Sequence, residues 1–280
     1  MSLKYVPTYL AEINAHPRDK FIEFDEGPHI YTVHGEQGYT SVTTWNHSHF
    51  SHFDADGILD KMFANKSRMA DPKYKYHGMT REQIKADWDK NRDLASGSGT
   101  QMHYDIELYF NKATVLNESV EFAWFLRFVK DFPELKPYRT EWMVYYEELK
   151  LSGSIDMVFE NPDGTLQIYD WKRCKEIVYE PVFSKFALTP CISHLPDTNF
   201  WHYTLQLNTY KRILEEKYGK KITALYLVCL HPDNVYKTYD RIEVPILKKE
   251  MDDLFALRQY QVNATAETTS AHCIPSQPQK

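Results

Sequence analysis

Three consecutive segments in the middle of the chain place the strongest limit on its fold. Segments 141–147, 151–160 and 166–172 are rich in the β-branched and aromatic residues that favour strands. The sequence Asn161-Pro162-Asp163-Gly164, between the last two, is typical of a tight turn. The simplest interpretation of this pattern is a consecutive meander of three strands.

Segments with helical and apolar patterns surround this meander. Helices are predicted over 101–110, 119–131, 200–218 and after Ile246. Further strands are predicted as two runs within 29–44 and as single runs over 222–230 and 241–244. Residues 96–100 predict a turn that leads into the first of the helices. This order of elements predicts an α/β fold with a central mixed β-sheet flanked by helices.

Composition narrows the class of protein. The chain has 280 residues and a net charge of −6, which argues against attachment to nucleic acid by bulk positive charge. Its four cysteines are too few for a disulfide scaffold. No signal peptide, transit peptide or apolar run of about 18 residues is evident. We therefore expect a soluble intracellular protein with no membrane partner, one domain over 1–261, and a disordered polar tail over 262–280.

One segment differs from the rest in charge. Residues 61–92 hold nine basic and four acidic side chains. The aromatic residues Tyr74, Tyr76 and Trp88 are interleaved with them. A segment of this kind, at about 54–95, could form a helical lid or arch over a single strand, using phosphate pairing and base stacking. An ordinary solvated helical face is the alternative, and we call residues 54–95 the arm.

Two carboxylates and a lysine lie in the predicted meander. Asp170 and Lys172 are two residues apart on one strand, so their side chains share a face. Asp156 lies on the neighbouring strand, and the hairpin register decides whether it meets Asp170. If the acids meet, their oxygens suit Mg²⁺ or Mn²⁺, and the lysine could orient or help deprotonate a water that attacks phosphorus. A surface ion pair is the alternative interpretation of Asp170 and Lys172.

Other polar residues could add to this chemistry. His103 lies on the first predicted helix, and Glu141 begins the first strand of the meander. Gln206 and Tyr210 are four residues apart on a later helix and face the same side. Three of them have a structural alternative: His103 as a satisfied interior residue, Gln206 as a cap on a neighbour and Tyr210 as a core residue. A separate group could bind a metal or form a polar turn: His47, His49, His52, Asp54 and Asp56.

The order of these motifs resembles that of a known nuclease family. The matching strings are Gly99-Thr-Gln-Met-His103, Gly153-Ser-Ile-Asp156, Asp170-Trp-Lys172 and Gln206-Leu-Asn-Thr-Tyr210, preceded by Tyr39-Thr-Ser-Val-Thr43. Together they resemble the PD-(D/E)XK nuclease superfamily and, within it, the RecB-like exonuclease branch. They are similar in particular to the mitochondrial genome maintenance exonuclease group and to related proteins of large DNA viruses. The resemblance spans residues 31–232.

This resemblance implies a restriction-endonuclease-like core and assigns roles to single residues. The implied catalytic residues are Asp156, Asp170 and Lys172. The implied metal ligands are His103, Asp156 and Asp170. Gln206 and Tyr210 would border the scissile phosphate, with Glu141 in support of the ligands or the substrate. Ser41 and Thr43 would contact the DNA backbone.

The expected activity is that of a Mg²⁺- or Mn²⁺-dependent deoxyribonuclease. The resemblance favours an exonuclease on single-stranded or frayed DNA ends, of the kind used in DNA replication or repair. The alternatives are a structure-specific endonuclease, an RNA-directed nuclease, or a catalytically silent nucleic-acid-binding module. The cysteines are too scattered for an iron–sulfur cluster, and no Walker-type string predicts a nucleotide cofactor. Cleavage polarity and oligomeric state are left open.

Overall fold

The computed structural model describes residues 6–181 and 183–271, with side chains through Glu267. The N-terminal half contains α1 (Tyr9–Ile13), β1 (Ile22–Asp25), β2 (Ile30–Val33), β3 (Thr40–Ser41), α2 (Val42–His47), α3 (Ala55–Ala64), α4 (Lys66–Met69), α5 (Arg81–Phe110) and α6 (Val120–Asp131). The C-terminal half contains β4 (Lys136–Tyr146), β5 (Leu151–Glu160), β6 (Leu166–Lys172), α7 (Asn199–Lys217), β7 (Ile222–Cys229), β8 (Asp240–Glu243) and α8 (Lys248–Ala271).

Six strands form the main sheet, and β5 pairs with three of the others. Strand β4 pairs along one edge of β5, while β3 and β6 pair with different parts of the other edge. The sheet continues from β6 through β7 to β8. The β3–β5 and β6–β7 pairs are parallel and the others are antiparallel, so the sheet is mixed. Strands β1 and β2 form a separate antiparallel ribbon.

Helices cover both faces of this sheet, since successive buried residues of a strand point to opposite faces and pack against different helices. On β6, Ile168 packs in a cluster with Leu207 of α7. The next residue, Tyr169, packs in a second cluster with Ile106 of α5 and Phe125 of α6. This two-residue alternation is the one expected for a strand covered on both faces. The predicted α/β architecture, a central mixed sheet flanked by helices, is confirmed.

The predicted turn at 96–100 is wrong, because α5 runs through it without a break. The helix begins at a capping box in which Thr80 and Gln83 satisfy each other's backbone N–H groups. Each glycine costs about 1 kcal/mol inside a helix. Gly97 and Gly99 are nevertheless tolerated, since the cap fixes one end of α5 and buried residues fix the other.

The polar tail predicted from residue 262 is also wrong in part, since α8 continues to Ala271. Leu254 and Phe255 anchor this helix in the core, and helix growth from an existing turn is far easier than its nucleation. Residues 272–280 of the predicted tail lie outside the described residues. No helix of the described ranges has both the length and the apolar composition needed to cross a bilayer.

Candidate functional site

An unpaired stretch on one edge of β5 marks the candidate site. On that edge β3 pairs with Leu151 and Ser152, and β6 pairs from Met157 onward. Within the described strands, residues 153–156 therefore have no partner on this edge, while β4 covers the opposite one. The result is a gap in the middle of the sheet, and we call it the cleft.

Gly153 lets α7 close over the cleft. A β-carbon at this position would lie 2.6 Å from the hydroxyl oxygen of Tyr210, so any larger residue would displace the Tyr210 ring. Tyr210 is buried, and burial raises its pKa well above the ordinary value. The phenol therefore stays neutral and can act as a hydrogen-bond donor inside the cleft.

The hairpin register brings the two predicted aspartates to one point of the sheet. Met157 and Tyr169 form the last β5–β6 pair. Asp156 precedes Met157 on β5 and Asp170 comes after Tyr169 on β6, so the two acids occupy the position just beyond that pair. The strands separate here, and the backbone N–H of Trp171 donates to Oδ2 of Asp156 at 2.9 Å. The register thus answers the question that the sequence left open, because the two acids do lie side by side.

Trp171 also orients His103. Its carbonyl oxygen lies 2.8 Å from Nε2 of His103, a contact in which the ring nitrogen is the donor. The other ring nitrogen, Nδ1, then faces the acids, 3.5 Å from Oδ2 of Asp156 and 3.7 Å from Oε1 of Glu141. Because the indole of Trp171 is buried in the core, this orientation has a rigid support.

His103, Glu141 and Asp156 form a group that could hold a metal ion. Among the described residues, these three alone bring at least three ligand atoms within 4.8 Å of one another. The second carboxylate oxygen of Glu141 accepts a hydrogen bond from Oγ of Ser154 at 2.9 Å. Sequence reasoning had given Glu141 a supporting role and had missed Ser154, although its position two residues before Asp156 places it on the same strand face.

Holding Glu141 in this position has an energetic cost. Its backbone φ of 41° lies in the left-handed region, which costs a residue with a β-carbon about 1–2 kcal/mol. It also faces Asp156 across the β4–β5 ladder, one position beyond the pair of Trp142 and Ile155. Two acids directly opposite each other are destabilising. A cation between the two carboxylates would offset that repulsion.

Asp170 and Lys172 form an ion pair on the α7 side of the sheet. Nζ of Lys172 lies 2.6 Å from Oδ2 of Asp170, whose side chain is only 3% exposed, so this is no surface pair. Oδ1 of Asp170 accepts a longer, 3.4 Å hydrogen bond from Nε2 of Gln206. The ring of Tyr203 lies 4.5 Å from Nζ. Sequence reasoning missed Tyr203, although its spacing from Gln206 and Tyr210 puts all three on one helix face.

Burial and charge shift the pKa values of these groups. Burial lowers the pKa of His103, but Asp156 and Glu141 outweigh it and raise the pKa to about 9. Burial raises the pKa of Asp170 to about 6, despite Lys172, and it also raises the pKa of Asp156. Burial disfavours the charge of Lys172, yet Asp170 and Asp156 raise its pKa above the ordinary value. The lysine is therefore held protonated.

A cavity of about 430 Å³ opens next to the three candidate ligands. His103 and Glu141 form part of its wall, and Glu26 and Glu107 add further carboxylates. Phe24 of β1 and Gly99 of α5 also line the cavity. The cavity gives a ligand access to the candidate metal group from the side of α5.

The two residues predicted to contact DNA lie where α2 begins, at the border of the cleft. Ser41 pairs with Ser152 of β5, and its hydroxyl oxygen accepts a hydrogen bond from the N–H of Thr44 at 3.1 Å. Ser41 therefore caps α2. Thr43 is exposed on the first turn of that helix. Their contact with DNA stays a prediction.

The separate histidine–acid group does not assemble into a metal site. His49 is buried, with Nδ1 2.9 Å from the hydroxyl oxygen of Thr189. Asp54 caps α3, and Asp56 pairs with Lys85 at 2.6 Å. The metal-binding interpretation of this group is wrong, because its members turn towards different partners.

The arm is less basic than its central part suggested. Acids that flank residues 61–92 bring the total over 54–95 to nine basic and eight acidic side chains. Four of the bases pair within the arm, as Arg81–Asp60, Lys85–Asp56, Lys75–Asp87 and Arg92–Asp89. In the described part of the chain, five bases of the arm have no ion pair: Lys61, Lys66, Arg68, Lys73 and Lys90.

Aromatic side chains line one side of the arm. Nε1 of Trp88 donates to the hydroxyl oxygen of Tyr76 at 2.9 Å, which fixes the indole. Phe53, just before the arm, lies 5.7 Å from Trp88 between ring centres and is 72% exposed. A large exposed ring beside a fixed indole is a surface on which a nucleic-acid base could stack.

Two solved structures to which the chain is similar are distant from it in sequence. No protein-family model matches the chain, and no curated protein matches it. The chain is similar to the solved "Structure of EndoMS-dsDNA2 complex", with 20% identity and a TM-score of 0.24. That match covers 41% of this chain and 37% of the other, so this chain spans little more than a third of its length.

A second similarity covers more of the chain. It is to a "Putative exonuclease" from Eubacterium rectale, with 12% identity and a TM-score of 0.33. The match covers 82% of this chain and 97% of the other. At these values neither similarity identifies an activity.

Proposed function

We propose that the chain is a divalent-metal-dependent deoxyribonuclease that hydrolyses phosphodiester bonds, acting as an exonuclease on single-stranded or frayed DNA ends. One observation carries the proposal. In the cleft, the His103–Glu141–Asp156 group and the buried Asp170–Lys172 pair lie at one point of the sheet. Carboxylates beside a protonated amine can bind a cation and a phosphate together, and core packing alone has no use for that arrangement.

The donors in the cleft fit Mg²⁺ or Mn²⁺. Carboxylate oxygens with one imidazole nitrogen suit these hard cations, and the repulsion between Glu141 and Asp156 gives a reason for one to bind. Asp170 can add a further oxygen, because the hydrogen bond that Gln206 donates to its Oδ1 is long, at 3.4 Å. When bound, the cation would supply Lewis-acid polarisation of the phosphate and a lowered pKa for a bound water.

The lysine supplies positive charge in this proposal. Asp170 and Asp156 keep Lys172 protonated, so it donates hydrogen bonds to the phosphate or to the attacking water and does not act as a base. Asp170 fixes the amine from one side, and the ring of Tyr203 lies against it from another. The neutral phenol of Tyr210 and the amide of Gln206 border the phosphate from α7.

Preference for a single strand is supported by the arm. The basic side chains without ion pairs can contact phosphates, and Phe53 and Trp88 offer faces for bases. Along α5, Lys90 is 13 residues from His103, which corresponds to about 20 Å of helix. The arm would therefore hold the strand several nucleotides from the bond that is cut.

Digestion of end-labelled DNA tests the proposal. Linear single-stranded, circular single-stranded and blunt duplex DNA, with a matched RNA, are incubated with Mg²⁺, with Mn²⁺ or with EDTA. We expect cleavage of linear single strands only, with either cation, and none with EDTA. Cleavage of the circular DNA would show that the enzyme is an endonuclease and not an exonuclease. A preference for RNA would show that DNA is not its substrate. Binding of DNA without cleavage under any condition would leave only a nucleic-acid-binding module.

A further inference from the structure

Two thiols lie together directly behind the catalytic lysine. Cys229 of β7 is the register partner of Lys172, and the N–H of Leu230 donates to the carbonyl of Lys172 at 2.8 Å. Cys174 follows Lys172 by two residues, beyond the last β6–β7 pair. Its sulfur lies 3.7 Å from that of Cys229. The proposed nuclease chemistry uses neither thiol.

The two sulfurs differ in accessibility. Cys229 is 3% exposed, whereas Cys174 is partly exposed at the end of the strand. The contact between them lowers the pKa of Cys174 and raises that of Cys229. Cys174 therefore has the more accessible sulfur and the greater thiolate character, which are the features of a thiol that reacts first with an oxidant.

A third ligand for a soft metal is missing from this pair. Among the described residues, no other histidine, cysteine or acid brings a donor atom within 4.8 Å of both sulfurs. The closest acid by register is Asp240, the partner of Cys229 on β8. Two thiols in contact without a further ligand favour a disulfide over a metal site.

We propose that Cys174 and Cys229 are a redox-modification site, where a peroxide forms a disulfide that switches off cleavage. The thiolate of Cys174 attacks a peroxide oxygen, giving a sulfenic acid and, from hydrogen peroxide, hydroxide that is protonated to water. The sulfur of Cys229 then attacks the sulfenic sulfur, loses its proton and releases a second water. Two thiols are oxidised and one peroxide is reduced to two waters.

The effect on cleavage follows from the position of the bond. A disulfide needs the sulfurs about 2.05 Å apart, so one or both must move from their present 3.7 Å separation. Cys229 pairs with Lys172 on one side and with Asp240 on the other, whereas Cys174 lies beyond the last β6–β7 pair and is the freer partner. Its shift acts on Lys172, two residues away, and through Lys172 on the contact of Nζ with the Tyr203 ring, 4.5 Å distant. Displacements of about 1 Å in a site can cost 100-fold in rate.

This switch rests on the proposed nuclease function, so the experiment reads the disulfide and the activity separately. The full chain is treated with graded hydrogen peroxide and then with dithiothreitol. Free thiols are counted, and the cross-linked peptide is sought by mass spectrometry. We expect the count to fall from the four thiols of the sequence to two, with a Cys174–Cys229 peptide. Cleavage of single-stranded DNA should fall at least tenfold in parallel and recover on reduction.

Matched variants decide between this pair and general oxidation. Cys174→Ser and Cys229→Ala should cleave like the parent under reducing conditions and keep their activity in peroxide, with folding checked by thermal melting. Cys191→Ser removes a partly exposed thiol outside the pair and should remain as peroxide-sensitive as the parent. The proposed modification site would be wrong if Cys191→Ser kept its activity in peroxide, or if no Cys174–Cys229 peptide formed at saturating peroxide. A disulfide that leaves cleavage unchanged would overturn the switch.

An inactive protein gives a distinct result. If neither redox state cleaves DNA, the proposed function fails and the control of cleavage fails with it. The thiol count and the cross-linked peptide still decide whether the modification site exists.

Discussion

The cleft and the arm both carry acids and bases, but they hold them in opposite ways. In the cleft, Asp170 and Lys172 pair at 2.6 Å with side chains 3% and 17% exposed. In the arm, Arg81 pairs with Asp60 at 2.6 Å with side chains 41% and 67% exposed. Exposed pairs contribute little to stability, whereas buried charges are expensive to desolvate. A chain that keeps buried charges at a sheet gap has a use for them that stability does not explain.

This difference predicts that substitutions in the two regions have effects of different size and kind. Changes in the cleft should alter the rate of reaction strongly. Changes in the arm should alter affinity for DNA and its dependence on salt.

The largest effect is expected for Lys172→Met, which keeps the apolar stem and removes the charge. The rate of Mg²⁺-dependent cleavage of end-labelled single-stranded DNA should fall by about 1,000-fold, as for loss of a donor to a developing charge. Lys175→Met is the control, since Lys175 is exposed three residues later. If Lys172→Met is folded and cleaves DNA at the same rate as the parent, the proposal that the reaction occurs in the cleft is wrong.

A stability effect should distinguish buried from exposed histidines. Burial, with a smaller contribution from Arg258, lowers the pKa of His49 to about 4. The neutral ring is therefore favoured in the folded state. This stabilisation is complete above pH 6.5 and is lost as the pH falls through about 4.

Between pH 7 and pH 4, titration of His49 should remove about 3 kcal/mol from the free energy of unfolding. His49→Gln should lack this part of the pH dependence in urea titrations with EDTA. His52→Gln, at an exposed position, should follow the parent. A parallel pH dependence for His49→Gln and the parent would contradict the burial argument.

Glu141→Gln tests the group that the structure assembles. We expect Mn²⁺ affinity, measured by calorimetry, to fall by about 10- to 100-fold. Glu26→Gln changes a carboxylate in the same cavity but outside the group, and it should bind Mn²⁺ like the parent. If Glu141→Gln binds Mn²⁺ with the affinity of the parent, Glu141 is not a metal ligand and only supports the residues that are.

The smallest effect is expected in the arm. The triple variant Lys66→Ala, Arg68→Ala, Lys73→Ala removes bases that have no ion pair there. Affinity for single-stranded DNA should weaken by about three- to tenfold, and the slope of log K against log salt should flatten by about 2. The rate at saturating DNA should not change.

The control for the arm is the double variant Lys248→Ala, Lys249→Ala, which removes exposed bases of α8. It should keep the salt dependence of the parent. Should the triple variant reduce the rate at saturation as much as Lys172→Met, the contrast between cleft and arm would be lost.

Local pattern was enough to predict most of the sheet. Segments 151–160 and 166–172 were predicted with the bounds that β5 and β6 have. Alternation of buried side chains has a period of two, and it depends on neighbours in the chain more than on distant contacts. The helix through residues 96–100 was missed for the converse reason, since packing at Met102 and Ile106 outweighs the weak helix propensity of two glycines.

The cleft was predictable only in part. The alternation placed Asp170 and Lys172 on one face, and the motif order placed His103 and Asp156 near them. The role of Glu141 was not predictable, because it depends on a left-handed backbone angle and on the cross-strand register. The self-pairing of the arm was missed because Asp56 and Asp60 meet Lys85 and Arg81 only after α3 packs beside α5.

By itself, the sequence determined the strands, the faces of their side chains and the order of the polar motifs, because these depend on residues within a few positions of each other. Only the tertiary structure decided where β6 leaves β5, which two acids lie beside His103, and that Cys174 meets Cys229 behind Lys172. These depend on register and packing between segments as far apart as His103 and Asp156. Distances across such gaps are set by the whole core, and no local pattern encodes them.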